Sequence, residues 1–84
     1  MRVWITKFAL TTGIIERDVE LRGDMVSWRE PNDYATRFAH REGRDWHRSR
    51  SAATKRAEHM RREKIVSLRK SLSKYESMSF VETE

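Results

Sequence analysis

From Arg50 to Met78 the chain contains neither glycine nor proline, and Ala, Leu, Arg, Lys, Glu and Met dominate the run. Those residues give up little freedom on entering a helix, and nothing in the stretch interrupts one. One long C-terminal α-helix over residues 50–78 follows. Ser49 is the predicted N-cap, because its hydroxyl can accept a free backbone N–H of the first turn, with Ser51 as the alternative. At 100° per residue, Ala53, Ala57, Met60, Ile65, Leu68, Leu72 and Tyr75 fall in one stripe. Lys64 and Arg61 lie within or near it and reach water by their long stems. The opposite face carries Lys55, Arg62 and Arg69 at seven-residue spacing, flanked by Lys70 and Lys74.

Such a helix is roughly 43 Å long at 1.5 Å per residue. A sheet of ordinary strands reaches only about 20 Å along a strand. The helix is therefore expected to overhang the body it packs on. Its small residues, Ala53 and Ala57, permit close approach to a sheet. Its bulky ones, Leu68, Leu72 and Tyr75, stand exposed unless a partner, a second copy or a returning Phe80-Val81 covers them. Ile65, Leu68, Leu72 and Tyr75 are spaced 3-4-3, an a/d seam of about one and a half heptads. That is short for a coiled coil and sufficient to help a homodimer.

The first half of the chain reads as short strands. From Val3 to Leu10, apolar residues fall on both parities, so both faces of a first strand are partly covered. Thr11-Thr12-Gly13 is a turn. Ile15, Val19 and Leu21 share one parity, with Glu16, Asp18 and Glu20 on the other, as in a strand wet on one side. Gly23-Asp24 turns the chain into a third strand at Met25–Trp28, and Glu30-Pro31-Asn32-Asp33 is a loop. Tyr34, Thr36 and Phe38 share one side of a fourth strand, and Arg44-Asp45-Trp46-His47 is a short last strand or an extended lead-in to the helix. Together these predict an α+β fold: a small antiparallel sheet of four to five strands over residues 3–48, curled as an SH3-like half barrel, followed by the helix and a short acidic tail at 79–84. The expected core is Val3, Ile5, Phe8, Ile15, Val19, Leu21, Val26, Trp28, Phe38, Trp46, Ala53, Ala57 and Met60. Eighty-four residues make a single domain.

The formal net charge of +5 is distributed unevenly. Residues 1–45 hold eight basic and eight acidic side chains, whereas residues 48–74 hold ten basic ones against Glu58 and Glu63. A basic helical segment beside a neutral sheet points to an anionic partner. Tyr34, Arg37, Phe38, His40, Arg41, Arg44, Trp46, His47, Arg48 and Arg50 interleave aromatic and basic groups. Such a mixture suits nucleic acid, where Arg neutralises phosphate and rings stack on bases. It equally resembles a protein-interface hot spot. Trp46 is assigned to the core. The candidate contact residues are Arg37, Arg41, Arg44, Arg48, Arg50, Lys55, Arg62, Arg69 and Lys70, with Leu68, Leu72 and Tyr75 as dimer or partner contacts.

Other chemistries find no support. The chain has no cysteine, which excludes disulfides and thiolate metal sites and fits a reducing cytoplasm. Its three histidines, His40, His47 and His59, show no metal-ligand spacing. No strained elbow precedes a serine, and Glu16, Asp18 and Glu20 read as the wet face of a strand. Gly13, Gly23 and Gly43 are isolated, so there is no phosphate loop, and Arg22-Gly23-Asp24 is a turn. No run is long and apolar enough to span a bilayer, and the N-terminus lacks the apolar core of a signal peptide. No enzyme activity, cofactor, metal or membrane association is expected, and the expected location is the cytoplasm.

Three stretches carry a resemblance. They are Val3-Trp4-Ile5-Thr6-Lys7-Phe8-Ala9-Leu10-Thr11-Thr12-Gly13-Ile14, then Asp45-Trp46-His47-Arg48-Ser49, then the basic helix ending in Met78-Ser79-Phe80. In that order they resemble small proteins of bacteriophages and mobile elements. The resemblance implies a compact inhibitor of a host protein or ribonucleoprotein complex, of the anti-CRISPR kind, acting in the host cytoplasm. The basic charge excludes imitation of DNA. The other expectation is a nucleic-acid-binding module that holds DNA or RNA through phosphate contacts.

Overall fold

A computed structural model describes residues 1–80. Six strands precede one helix: β1 (Arg2–Ile5), β2 (Ile15–Asp18), β3 (Glu20–Arg22), β4 (Met25–Arg29), β5 (Thr36–Ala39), β6 (Trp46–His47) and α1 (Arg50–Glu76). The architecture is α+β, as expected. The strands form two antiparallel sheets of three, ordered β2-β1-β6 and β3-β4-β5, rather than one sheet of four or five.

The division arises at Val19. The predicted strand from Ile15 to Leu21 breaks there, and the chain passes from the first sheet into the second. Strands that switch sheets at a bend make the corners of small β folds. Val19 is buried at the corner, but the bend turns Leu21 outward, where it lies 38% exposed on edge strand β3. Leu21 is therefore not a core residue.

β1 is the central strand of the first sheet and is covered on both faces, as its two-parity pattern implies. Val3 and Ile5 are fully buried with Trp46, Val19, Val26, Trp28 and Ala39 in the core between the sheets. Trp4, Thr6 and His47 alternate to the opposite face. There α1 lies across β1 and β6, with Ala53 fully buried and Ala57 half-buried. Phe8 and Ile15 pack on the core only in part. The first strand is shorter than its composition suggests. After Ile5 the chain closes a turn, with Thr12 N donating to Phe8 O at 2.8 Å and Gly13 N to Ala9 O at 3.2 Å. Gly13 sits at φ 92°, which a side chain would strain.

Phe38 also leaves the expected core. The register pairs Val26 with Ala39 and Ser27 with Phe38. Directly paired residues share a face, so the inward Val26 takes Ala39 with it and Phe38 follows Ser27 outward. Ala39 is fully buried and Phe38 is 41% exposed.

α1 begins at its predicted cap: Ser49 Oγ accepts from Ala52 N at 3.2 Å. It ends two residues early, with Ser77 N donating to Ser73 O at 3.0 Å. The molecule measures 64 × 29 × 21 Å, and the long dimension is the overhanging helix. Ala53 is the one fully buried residue of α1, and every residue from Val66 to Glu76 is exposed. Met60 is half-buried near the end of the contact. Phe80 is 88% exposed and covers nothing. Val81 and the rest of the expected acidic tail lie outside the described residues. Among the described residues no helix is long and apolar enough to cross a membrane.

Candidate interaction surface

The base of α1 is anchored through a buried polar pair. Thr6 is fully buried and His47 nearly so. The Thr6 hydroxyl donates to Arg44 O at 2.8 Å and lies 3.0 Å from His47 Nε2. A hydroxyl has one hydrogen, so Thr6 Oγ1 must accept from His47, and His47 carries its proton on Nε2. Thr6 N and Lys7 N both donate to Asp45 O, at 2.8 and 3.2 Å. Trp46 Nε1 donates to Asp24 O at 2.9 Å, which stitches β6 to the turn before β4. Burial holds the His47 imidazole below its ordinary pKa, and the Arg56 charge on α1 lowers it further. These groups set where α1 leaves the sheet and therefore where its far end points.

Along α1 both acids of the basic segment are taken. Arg61 binds Glu58 at 3.0 Å and His59 binds Glu63 at 2.8 Å. Lys55, Arg62, Arg69 and Lys70 are exposed and have no ion-pair partner among the described residues. Lys55, Arg62 and Arg69 drift by only about 20° per heptad, so they form one row. Arg62 and Lys70 also line a shallow groove of about 400 Å³ with His59, Glu63, Val66 and Ser67. Leu68, Leu72 and Tyr75 lie on the adjoining face, with Leu72 only about 60° around the helix from Arg69; they are 54%, 58% and 67% exposed.

The arginines of the sheet half divide into two groups. Arg37 is committed to Asp33 at 2.9 Å, and the Ala35 amide, helped by that pairing, holds the Asp33 carboxyl below its usual range. Arg48 is committed to Glu42 at 2.6 Å, with its guanidinium 5.4 Å from the Trp46 ring centre. Arg41 and Arg44 in the turn before β6, and Arg50 at the start of α1, are exposed with no ion pair among the described residues. Of the nine predicted basic contacts, the structure thus leaves seven uncommitted: Arg41, Arg44, Arg50 and the four on α1.

The aromatic half of the expected interface is reduced. Trp46 is fully buried, as assigned, while Tyr34 is 94% and Phe38 41% exposed and free to meet a partner. A separate network braces the other end of the sheets. Arg17 grips both oxygens of Glu30, at 3.1 and 2.8 Å, and Trp28 Nε1 donates to Glu30 at 2.8 Å. Those donors, Arg17 foremost, hold the Glu30 carboxyl below its usual range. Among the described residues no group of three or more His, Asp or Glu could hold a metal ion.

The polar residues missed from the sequence are Thr6 and His47. One signal was available: Thr6 continues the parity of Trp4 on a strand covered on both faces, and a buried Thr needs a polar partner. No family model matches this sequence, and no curated protein or solved structure matches it either.

Proposed function

We propose that this chain is a non-enzymatic binding protein of the phage type that antagonises a host macromolecular complex by covering part of its surface. The observation that carries the reading is the overhanging α1, on which Lys55, Arg62, Arg69 and Lys70 are exposed with no ion-pair partner among the described residues. Cations with no internal partner and no packing duty are available to an external anionic surface at little desolvation cost. Arg41, Arg44 and Arg50 are further exposed cations without an ion pair among the described residues, and Tyr34 and Phe38 are exposed rings. The favoured target is an acidic protein or ribonucleoprotein surface in the host cytoplasm. Capture from host lysate with the chain immobilised tests this. A protein partner should persist after nuclease treatment and be lost when Lys55, Arg62 and Arg69 are all changed to Glu. Capture abolished by nuclease, with direct binding of DNA or RNA, would overturn it.

A second reading is favoured by the spacing of the row. Seven residues advance about 10.5 Å along a helix, close to three base-pair rises of about 3.4 Å along the axis of a nucleic-acid duplex. A nucleic-acid module of this kind should shift DNA or RNA at low salt. Its affinity should fall steeply as salt rises, and the slope should drop by roughly three when Lys55, Arg62 and Arg69 become Gln. Salt-independent binding, or a silent triple change, would remove this reading.

A further inference from the structure

We infer that the exposed apolar stripe of α1 is covered by a second copy of the same helix, running antiparallel about a two-fold axis through residue 70. Four observations lead there. Among the described residues the stripe has no occupant: Phe80 is 88% exposed, and the residues of α1 from Val66 to Glu76 are all exposed. The seam is also symmetric about its own midpoint. With the axis at residue 70, Ile65 lies level with Tyr75 of the second copy and Leu68 with Leu72, so each large side chain meets a large side chain. A two-fold pairing requires such self-complementarity.

The third observation is charge. In an antiparallel pair each flank of the seam faces the same flank of the other copy. One flank carries Arg62, Arg69 and Glu76, so Arg62 comes within about 3 Å, along the axis, of the level of Glu76 of the second copy, twice over. Arg61, on the seam itself, comes to the C-terminal end of the other helix, where free carbonyls favour a cation. The one adverse contact is Arg69 against Arg69 at the axis. A parallel pair would set Lys64 against Arg69 of the other copy, twice, with no attractive contact in exchange. Flanking charges of this kind decide orientation in helix pairs. The fourth observation is room. The overlap runs from about residue 64 to the helix end at Glu76, all of it C-terminal to the buried Ala53, so the two β bodies sit at opposite ends.

The inference does not depend on the target of the basic row, since it concerns the purified chain alone. The seam is short, so the affinity should be weak, with a dissociation constant on the order of 100 µM. Sedimentation equilibrium of the full chain from about 10 µM to about 1 mM measures it. Leu72→Asp should weaken association at least tenfold. Arg62→Glu and Glu76→Arg alone should each weaken it about fivefold, and the two together should restore it, because both pairs are rebuilt with reversed sign. Arg69→Gln should tighten it about threefold. All these positions are exposed, and unchanged circular dichroism at low concentration confirms that the variants fold. A wild-type chain that stays monomeric at about 1 mM overturns the inference. So does a double exchange no tighter than its single changes, which would refute the antiparallel register.

Discussion

Replacing Thr6 by Val tests the anchor beneath α1. The change keeps the shape of a fully buried side chain and removes only the hydroxyl. Two groups lose their partner: Arg44 O, which accepted at 2.8 Å, and His47 Nε2–H, which donated across 3.0 Å. A buried polar group left unsatisfied costs about 1–3 kcal/mol. Arg44 lies in an exposed turn, where water can replace the lost donor, but His47 has no such relief. Moving its proton to Nδ1 would leave a bare Nε2 against a methyl group. The expected loss is about 2–3 kcal/mol, a large fraction of the roughly 4–12 kcal/mol that stabilises a chain of this length. Urea unfolding followed by fluorescence reports it, because Trp4, Trp28 and Trp46 all lie in the sheets. The midpoint should fall with an unchanged slope. Thr6→Ser keeps the hydroxyl and loses one methyl, so it should cost about 1 kcal/mol. If Thr6→Val lies within about 0.5 kcal/mol of wild type, or Thr6→Ser is equally damaging, the hydroxyl is not the anchor.

Four further outcomes follow from the same structure. Folded His47 takes up a proton less readily than the unfolded chain, whose imidazole titrates near 6.5. Its contribution is thus complete above that pH and is lost as pH falls through the lower folded value, so stability should decline on acidification below about 6.5 and the decline should shrink in His47→Gln. Ser49→Ala removes the acceptor for Ala52 N and should cost about 1 kcal/mol in the same urea assay. Ala39→Leu should cost about 1–3 kcal/mol by overfilling the core, whereas Phe38→Ser should cost much less, an order opposite to the one that side-chain size suggests. Amide hydrogens beyond residue 65 of α1 should exchange much faster than those near Ala53 and gain protection as concentration rises through the dimer range. Uniform protection along the helix at low micromolar concentration would count against a partnerless distal half.

The helix and its overhang were legible because they depend on local propensity and on length. Both are properties of consecutive residues, and the cap at Ser49 is equally local. The strands were legible as strands, but which side faces inward depends on a partner. Phe38 and Ala39 exchange places because β5 takes its register from Val26 and Trp28 of β4, thirteen and nine residues away from Ala39 and Arg37. Leu21 fails for a related reason, since alternation says nothing about a bend that moves a strand from one sheet to another. The Thr6–His47 pair joins residues 41 apart and needed the topology before it could be seen. On the surface, composition gave the basic residues but not their state. Only the coordinates separate Arg37 and Arg48, already bound to Asp33 and Glu42, from Arg41, Arg44 and the row on α1.

The distal half of α1 makes the clearest case for a protein built to be completed by something else. Helices of this length are held mostly by tertiary packing, and isolated ones are marginal in water. The side-chain contacts within the helix, Glu58 with Arg61 and His59 with Glu63, both support the proximal half. Beyond them Lys70 and Lys74 stand one turn apart as like charges, which weakens a free helix. Sequence economy alone would end the helix near Met60, where contact with the sheets stops. The chain instead continues for four more turns with large apolar residues on one side and cations on the other. Among the described residues neither face has a partner, and the two call for different ones, apolar surface and anions. The second copy supplies the first, and the proposed target supplies the second. Because the pair sets the two Lys55–Arg62–Arg69 rows on the same side, an anionic target that bridges both copies must strengthen dimerisation by the factor by which dimerisation strengthens its own binding.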